Sequence, residues 1–297
     1  MLERQYASAK AWVDQVTALA GWSRVWAYGF QLGDWLDPAA PPDQPAAART
    51  DPHLVATAYF AYSARRLGET AAVLGLDHDA AQYRLLAEEV RLAFLLRYSV
   101  APGVLSDDTE TAYALALRFE LFDRSDRQRA GNRLAELVAE RGHRIGVGFA
   151  GVNVVSDALS LTGHTESAYS LLLQAETPSW LSMIRKGATT IWERWDSMLD
   201  DGTVNSGKMT SFNHYALGSV ADWMHRVIGG VEAVEPGYRR IRFAPRPGGG
   251  LTCAATSHES PDGRVPVRGR SRTGRSKLTS RCLLAPQARS NLTGSSR

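Results

Sequence analysis

The sequence predicts a mainly α-helical protein, built from consecutive helical hairpins and ending in a few β-strands. Three observations carry that expectation. Apolar residues recur at helical spacing in segment after segment up to residue 228. The connections between several of these segments are short, as between antiparallel neighbours. Period-two alternation begins only after Gly229.

Residues 1–19 carry Trp12, Val16 and Leu19 at helical spacing and stop before Gly21. An aromatic, turn-rich stretch follows at 21–38, then a Pro/Ala-rich loop at 38–50. Asp51 reads as an N-cap with Pro52 at the first helical position, and Val55, Ala58, Tyr59 and Tyr62 continue the helix. Residues 79–98 place Tyr83, Leu86, Val90 and Phe94 on one face. Residues 107–122 open on an acidic turn and carry Ala112, Leu115, Ala116 and Phe119. Residues 126–141 carry Ala130, Leu134, Leu137 and Val138 and stop at Gly142, a C-cap residue. A short-linked pair follows at 154–161 and 165–174, then a short helix at 178–184 and a long one at 212–228. The candidate strands are 238–245 (YRRIRFAP) and 251–257. The absence of a fixed-period repeat argues against the common solenoids.

Charge is unevenly placed. The 297 residues hold 34 Lys and Arg against 31 Asp and Glu, a net of +3. Residues 264–297 contain nine of the basic residues and no acidic one, so residues 1–263 carry a net of −6. A block of like charge predicts a disordered basic tail. It has no Trp, Tyr or Phe to stack bases, so nucleic acid is not an expected partner. No apolar run approaches the ~20 residues of a membrane span. The amphipathic, charged N-terminus is unlike a signal peptide, and a cytoplasmic location is expected. Cys253 and Cys282 form neither a disulfide framework nor a metal pattern, and no metal or cofactor is expected. Asn291 opens a glycosylation sequon without any sign of secretion. Oligomeric state is left open.

Chemistry-bearing residues gather in the loops. Glu193 lies between Trp192 and Trp195, beside Arg194 and Asp196. A carboxylate among aromatics suits glycoside chemistry, because the rings pack on a sugar face while the carboxylate activates water. The same pattern is open to a bland reading, with the tryptophans in the core and Glu193 paired to an arginine. Asp34 and Trp35 repeat the acid–aromatic pairing, with Asp34 alternatively a turn cap. His214, in SFNHYALG, can bond a sugar hydroxyl or serve the structure alone.

Five runs in order, GDWLDP, TAYFAYSARRLGETAAVLG, PSWLSMIRKGATTIWERWDS, TSFNHYALGSVADWMHRV and PGYRRIRFAPRPGGGLT, resemble the bacterial α-L-rhamnosidases of glycoside hydrolase family 78. The resemblance covers residues 1–263. It implies a partial (α/α)6 barrel over 1–230 and the first strands of a truncated C-terminal β-sandwich over 231–263. It also implies inverting hydrolysis of terminal α-L-rhamnosides without a cofactor, with rhamnose-containing glycosides or oligosaccharides as partners. Glu193 matches the family's general base. Trp35 and His214 match positions lining the rhamnose pocket, and Asp34, Trp192 and Trp195 are pocket candidates by adjacency.

The chain departs from the family pattern twice. Inverting hydrolysis uses two carboxyl groups about 6.5–9.5 Å apart, and the acid-rich segment that holds the family's general acid does not occur here. Little or no rhamnosidase activity is therefore expected from this chain alone, and a non-catalytic carbohydrate-binding remnant is the alternative. Another helical-toroid carbohydrate enzyme, such as an unsaturated glucuronyl hydrolase or a polysaccharide lyase, is disfavoured by ATTIWERWDS and TSFNHYALG. After about Val265 the family's strand pattern also stops. A reading-frame shift is the expected cause, since an offset frame over 269–291 can encode an alternating, strand-like peptide. The nucleotide sequence tests this.

Overall fold

The computed structural model describes residues 1–261, 263–272 and 275–280. The chain divides into two units, Met1–Leu217 and Gly218–Arg297.

The first unit is helical. Its elements are α1 (Leu2–Ala20), α2 (Pro52–Val73), α3 (Asp77–Tyr98), α4 (Glu110–Arg118), α5 (Arg127–Glu140), α6 (Phe149–Val152), α7 (Val155–Leu161), α8 (Thr165–Leu173) and α9 (Trp180–Arg185). Asp51 caps α2 as expected, its side chain accepting from the His53 N–H with Pro52 in the first turn. Small residues on α2 (Ala58, Ala61, Ala64, Gly68, Ala71) are buried and let its backbone approach α3, which supplies Tyr83, Val90 and Phe94. Residues 110–117 of α4 are all buried, the mark of a central helix. It packs against α5 and α7, and α7 against α8.

Two expected boundaries move. The helix expected over 107–122 begins only at Glu110, because the Thr109 hydroxyl caps it by accepting from the Ala112 N–H. The long helix expected over 212–228 is helical only from Ala216. It runs as a 3-10 turn (Ala216–Ser219), then α10 (Val220–Trp223), then a π turn (Met224–Ile228). The reason lies in the backbone before it: the Ser211 carbonyl accepts from the Glu193 N–H and the His214 N–H donates to the Ile191 carbonyl. Those groups are committed to another segment, so residues 211–215 form an irregular, bent loop instead of a helical turn. A hairpin of β1 (Ser99–Ala101) and β2 (Val104–Leu105) was not anticipated, although Pro102-Gly103 is a turn signal.

In the second unit the helical turns after Gly218 pack on β3 (Val231–Ala233). β3 pairs antiparallel with β4 (Ile241–Phe243), Val231 opposite Phe243. β4 is shorter than the expected 238–245 because Pro236–Tyr238 forms a 3-10 turn with Gly237 at φ 72°. β5 (Cys253–Ser260), β6 (Gly263–Arg272) and β7 (Arg275–Ser280) form an antiparallel sheet in that order. β6 and β7 thus include residues 264–272 and 275–280 of the stretch expected to be a disordered tail. Val265 and Val267 are buried while Arg264 and Arg268 are exposed, so the start of β6 alternates as a half-buried strand does. Arg264 is further matched by Glu259 at 3.1 Å. Residues 281–297, with Cys282, the Asn291 sequon and the end of the segment read as frame-shifted, lie outside the described residues. No described helix is long and apolar enough to cross a membrane.

Candidate functional site

Four stretches of the first unit are tied together: the turn at 33–37, the entry to α6 at 146–151, the loop at 191–197 and the loop at 211–215. The tie between the first two is Asp34. It is fully buried. Its Oδ2 accepts from the Thr111 hydroxyl at 2.5 Å and the Gly148 N–H at 2.8 Å. Its Oδ1 accepts from the Ala150 and Gly151 N–H groups at 3.0 Å each. Burial pushes its pKa up to about 6, against the pull of the Thr111 and Gly148 hydrogen bonds. Close approach makes Gly148 obligatory, since a Cβ there would lie 2.4 Å from the carbonyl oxygens of both Asp34 and Trp35. Asp37 plays a similar part, bonding the Ala39 N–H and the Arg49 Nε, while Arg49 reaches the Gly146 carbonyl. The acids of GDWLDP thus clamp one loop onto another. Asp34, read from the sequence as a pocket residue or a turn cap, has all four of these donors on its buried carboxylate.

Trp35, by contrast, is half-buried. Its carbonyl accepts from the Phe149 N–H at 2.8 Å. The half-exposed Phe149 ring stacks on the His214 imidazole, centroids 5.0 Å apart and planes 25° apart. The Tyr215 ring lies 4.9 Å from the same imidazole at 18°. His214 Nδ1 accepts from the Ala216 N–H at 3.2 Å, which leaves Nε2 as the protonated, donating nitrogen.

Glu193 is held from its own backbone. Its N–H donates to the Ser211 carbonyl at 2.8 Å, and the Ser211 N–H donates back to Oε2 at 3.2 Å. Among the described residues Oε1 has no hydrogen-bond partner. Pairing with Arg194, which the sequence left open, does not occur. Arg194 is buried and bonds Asp196 at 2.9 Å and the carbonyls of Pro42 and Lys208. Trp192 and Trp195 were expected as pocket walls. At 2% and 3% exposure they present no free face to a sugar. Trp192 packs edge-on against Phe212, and Trp195 against Trp180 with its indole N–H on the Val147 carbonyl. Both form the packed backing of the Glu193 loop. Sequence reasoning missed Phe149, Ser211 and Gly148. The GVGFAG run was the one available signal, as a glycine-flanked aromatic between helices.

The loops of this helical-hairpin scaffold offer a carboxylate, an imidazole and half-exposed aromatic rings, and the scaffold is that of a six-hairpin glycosidase domain. Residues 1–228 match the bacterial α-L-rhamnosidase six-hairpin glycosidase domain and residues 230–292 the bacterial α-L-rhamnosidase C-terminal domain. The chain belongs to the bacterial α-L-rhamnosidase family. It is 40% identical over 254 residues to an α-L-rhamnosidase of Streptomyces avermitilis, covering 86% of this chain and 24% of that protein. A Formosa agariphila α-L-rhamnosidase is 36% identical over 267 residues, covering 89% and 28%. The native Aspergillus terreus α-L-rhamnosidase structure superposes with a TM-score of 0.88 at 39% identity, covering 90% of this chain and 31% of that one. The S. avermitilis α-L-rhamnosidase complexed with L-rhamnose gives 0.85 at 37% identity, covering 94% and 26%. The chain spans about a quarter of the length of the curated relatives it matches.

Proposed function

We propose that this chain holds the rhamnosyl group of terminal α-L-rhamnosides and supplies the general base of their inverting hydrolysis. The observation that carries the reading is the state of Glu193: half-buried, anchored through Oε2 and, among the described residues, without an arginine partner or a hydrogen bond at Oε1. In this role Glu193 takes a proton from a water as that water attacks the anomeric carbon, while a second carboxyl protonates the departing oxygen. The Trp35 ring packs on the apolar face of the sugar, and the His214 Nε2–H donates to a hydroxyl. The L-rhamnose complex of the S. avermitilis relative supports this choice of sugar.

The other carboxylates of these loops are engaged. Asp34 has four donors, Asp37 bonds Arg49, and Asp196 bonds Arg194 and Asn205. None of the three is placed to act as the acid, so the reading assigns sugar binding and the base rather than full turnover. Calorimetric titration with L-rhamnose and an aryl α-L-rhamnoside assay test it together. Saturable binding, weakened at least about tenfold by Trp35→Ala or His214→Ala, is expected. Turnover near background is expected for both the natural chain and Glu193→Gln. A folded chain without rhamnose binding overturns the reading. Turnover that Glu193→Gln abolishes overturns the part that leaves the chain without an acid.

A further inference from the structure

Phe149 has no part in the chemistry just described, yet it touches two of the residues that do. Its backbone N–H donates to the Trp35 carbonyl at 2.8 Å, and its ring stacks on His214 at 5.0 Å and 25°. The peptide that carries it is closely seated. Gly148, one residue earlier, donates to Asp34 Oδ2 at 2.8 Å and lies too close to the Asp34 and Trp35 carbonyls to accept a Cβ. Phe149 also opens α6, whose Ala150 and Gly151 N–H groups are bound by Asp34 Oδ1. Its ring therefore springs from a fixed base.

His214 has less to define it. Its N–H is tied to the Ile191 carbonyl and its Nδ1 accepts a single hydrogen bond, 3.2 Å long, from Ala216. That bond alone does not fix the plane of the ring. The Tyr215 ring also stacks on the imidazole, at 4.9 Å and 18°, but Tyr215 is 85% exposed whereas Phe149 is half-buried. A stacked aromatic ring selects one plane, since offset stacking is favoured at this separation. We propose that Phe149 is a positioning residue of the sugar site. Its anchored ring, together with that of Tyr215, sets the plane of the His214 imidazole, aiming the Nε2–H, and its N–H holds the Trp35 turn against that imidazole. The ligand in this inference rests on the rhamnoside reading above; the ring geometry does not.

The test uses the full chain with Phe149→Leu, Phe149→Met and Phe149→Tyr. Imidazole 15N–1H correlation spectra are recorded, with His214→Ala for assignment, alongside L-rhamnose titrations. Loss of the ring is expected to shift and broaden the His214 ring signals toward mixed tautomers and to weaken L-rhamnose binding about tenfold. Phe149→Tyr, which keeps a stacking ring, is expected to restore both. Met and Leu serve as alternative removals, so one folded variant suffices. Wild-type His214 signals in a folded Leu or Met variant overturn the proposal, as does a loss that Tyr fails to restore. If the natural chain does not bind L-rhamnose, the rhamnoside reading falls. The His214 spectra then still support or overturn the positioning on their own.

Discussion

Two carboxylates in similar sequence settings, Asp34 beside Trp35 and Glu193 beside Trp192, end in opposite states. Asp34 has no exposed surface and four donors on its oxygens; Glu193 is half-buried with one oxygen free. The difference decides what each substitution does. Asp34→Ala leaves three backbone N–H groups and the Thr111 hydroxyl unsatisfied in the interior. Since each such group costs about 1–3 kcal/mol, a loss of at least ~3 kcal/mol is expected in urea unfolding. Glu193→Gln removes only the acceptance of the Ser211 N–H by a charged oxygen. A change under ~1 kcal/mol is expected by the same measurement. Glu193, Trp35 and His214 stood out in the sequence as candidates because an acid, an aromatic and a histidine gathered in loops suit sugar chemistry. The partners of Asp34 were not legible, because its N–H donors lie on residues 148–151, more than a hundred positions along the chain.

Elements show where local rules held and where they yielded. The caps at Asp51 and Thr109 follow from side chains that reach the first free N–H groups of the next turn. Thr109→Ala is expected to lower stability by ~1 kcal/mol, read from the shift in the urea midpoint. Gly148→Ala should cost more, ~2–4 kcal/mol, since the added methyl meets two carbonyl oxygens and an N–H of the 34–37 turn and nothing flexible can give way. Chemical denaturation with Gly142→Ala as a comparison separates the two effects: Gly142, at φ 64°, has open space around its Cβ direction and carries only backbone strain. The long helix expected over 212–228 yielded because cross-segment hydrogen bonds at Ser211 and His214 claimed its first backbone groups. Apolar periodicity reports which face is buried and is blind to such competition.

Across the molecule, the buried ionisable groups set how stability varies with pH. Glu110, at the start of α4, is 2% exposed, and Arg141 Nε stands 3.6 Å from its Oε1 without a hydrogen bond. Burial pushes its pKa from 4.5 up to about 7, although Arg141 and Arg49 pull it down. Between those two values the unfolded chain has released the proton that the folded chain keeps. Stability from this group is therefore full below about pH 4.5, falls as pH rises toward about 7, and is level above that. Asp34, raised to about 6, acts in the same sense. Urea midpoints recorded from pH 4 to 8 are expected to show a shallower decline for Glu110→Gln than for the natural chain. An unchanged slope would mean that Arg141 and Arg49 already hold Glu110 ionised.

The sequence by itself determined the helical-hairpin class, the family and most helix positions. These depend on periodicity, capping chemistry and motif order, all of which are local. Tertiary structure decided which acid is saturated with donors and which is not, which tryptophans are packed and which is half-open, and that Phe149 stacks on His214. It also decided that a basic segment forms strands, because two buried valines and a pairing edge outweigh charges that can point to solvent. Each of those outcomes depends on groups distant in sequence meeting in space, which no local pattern encodes.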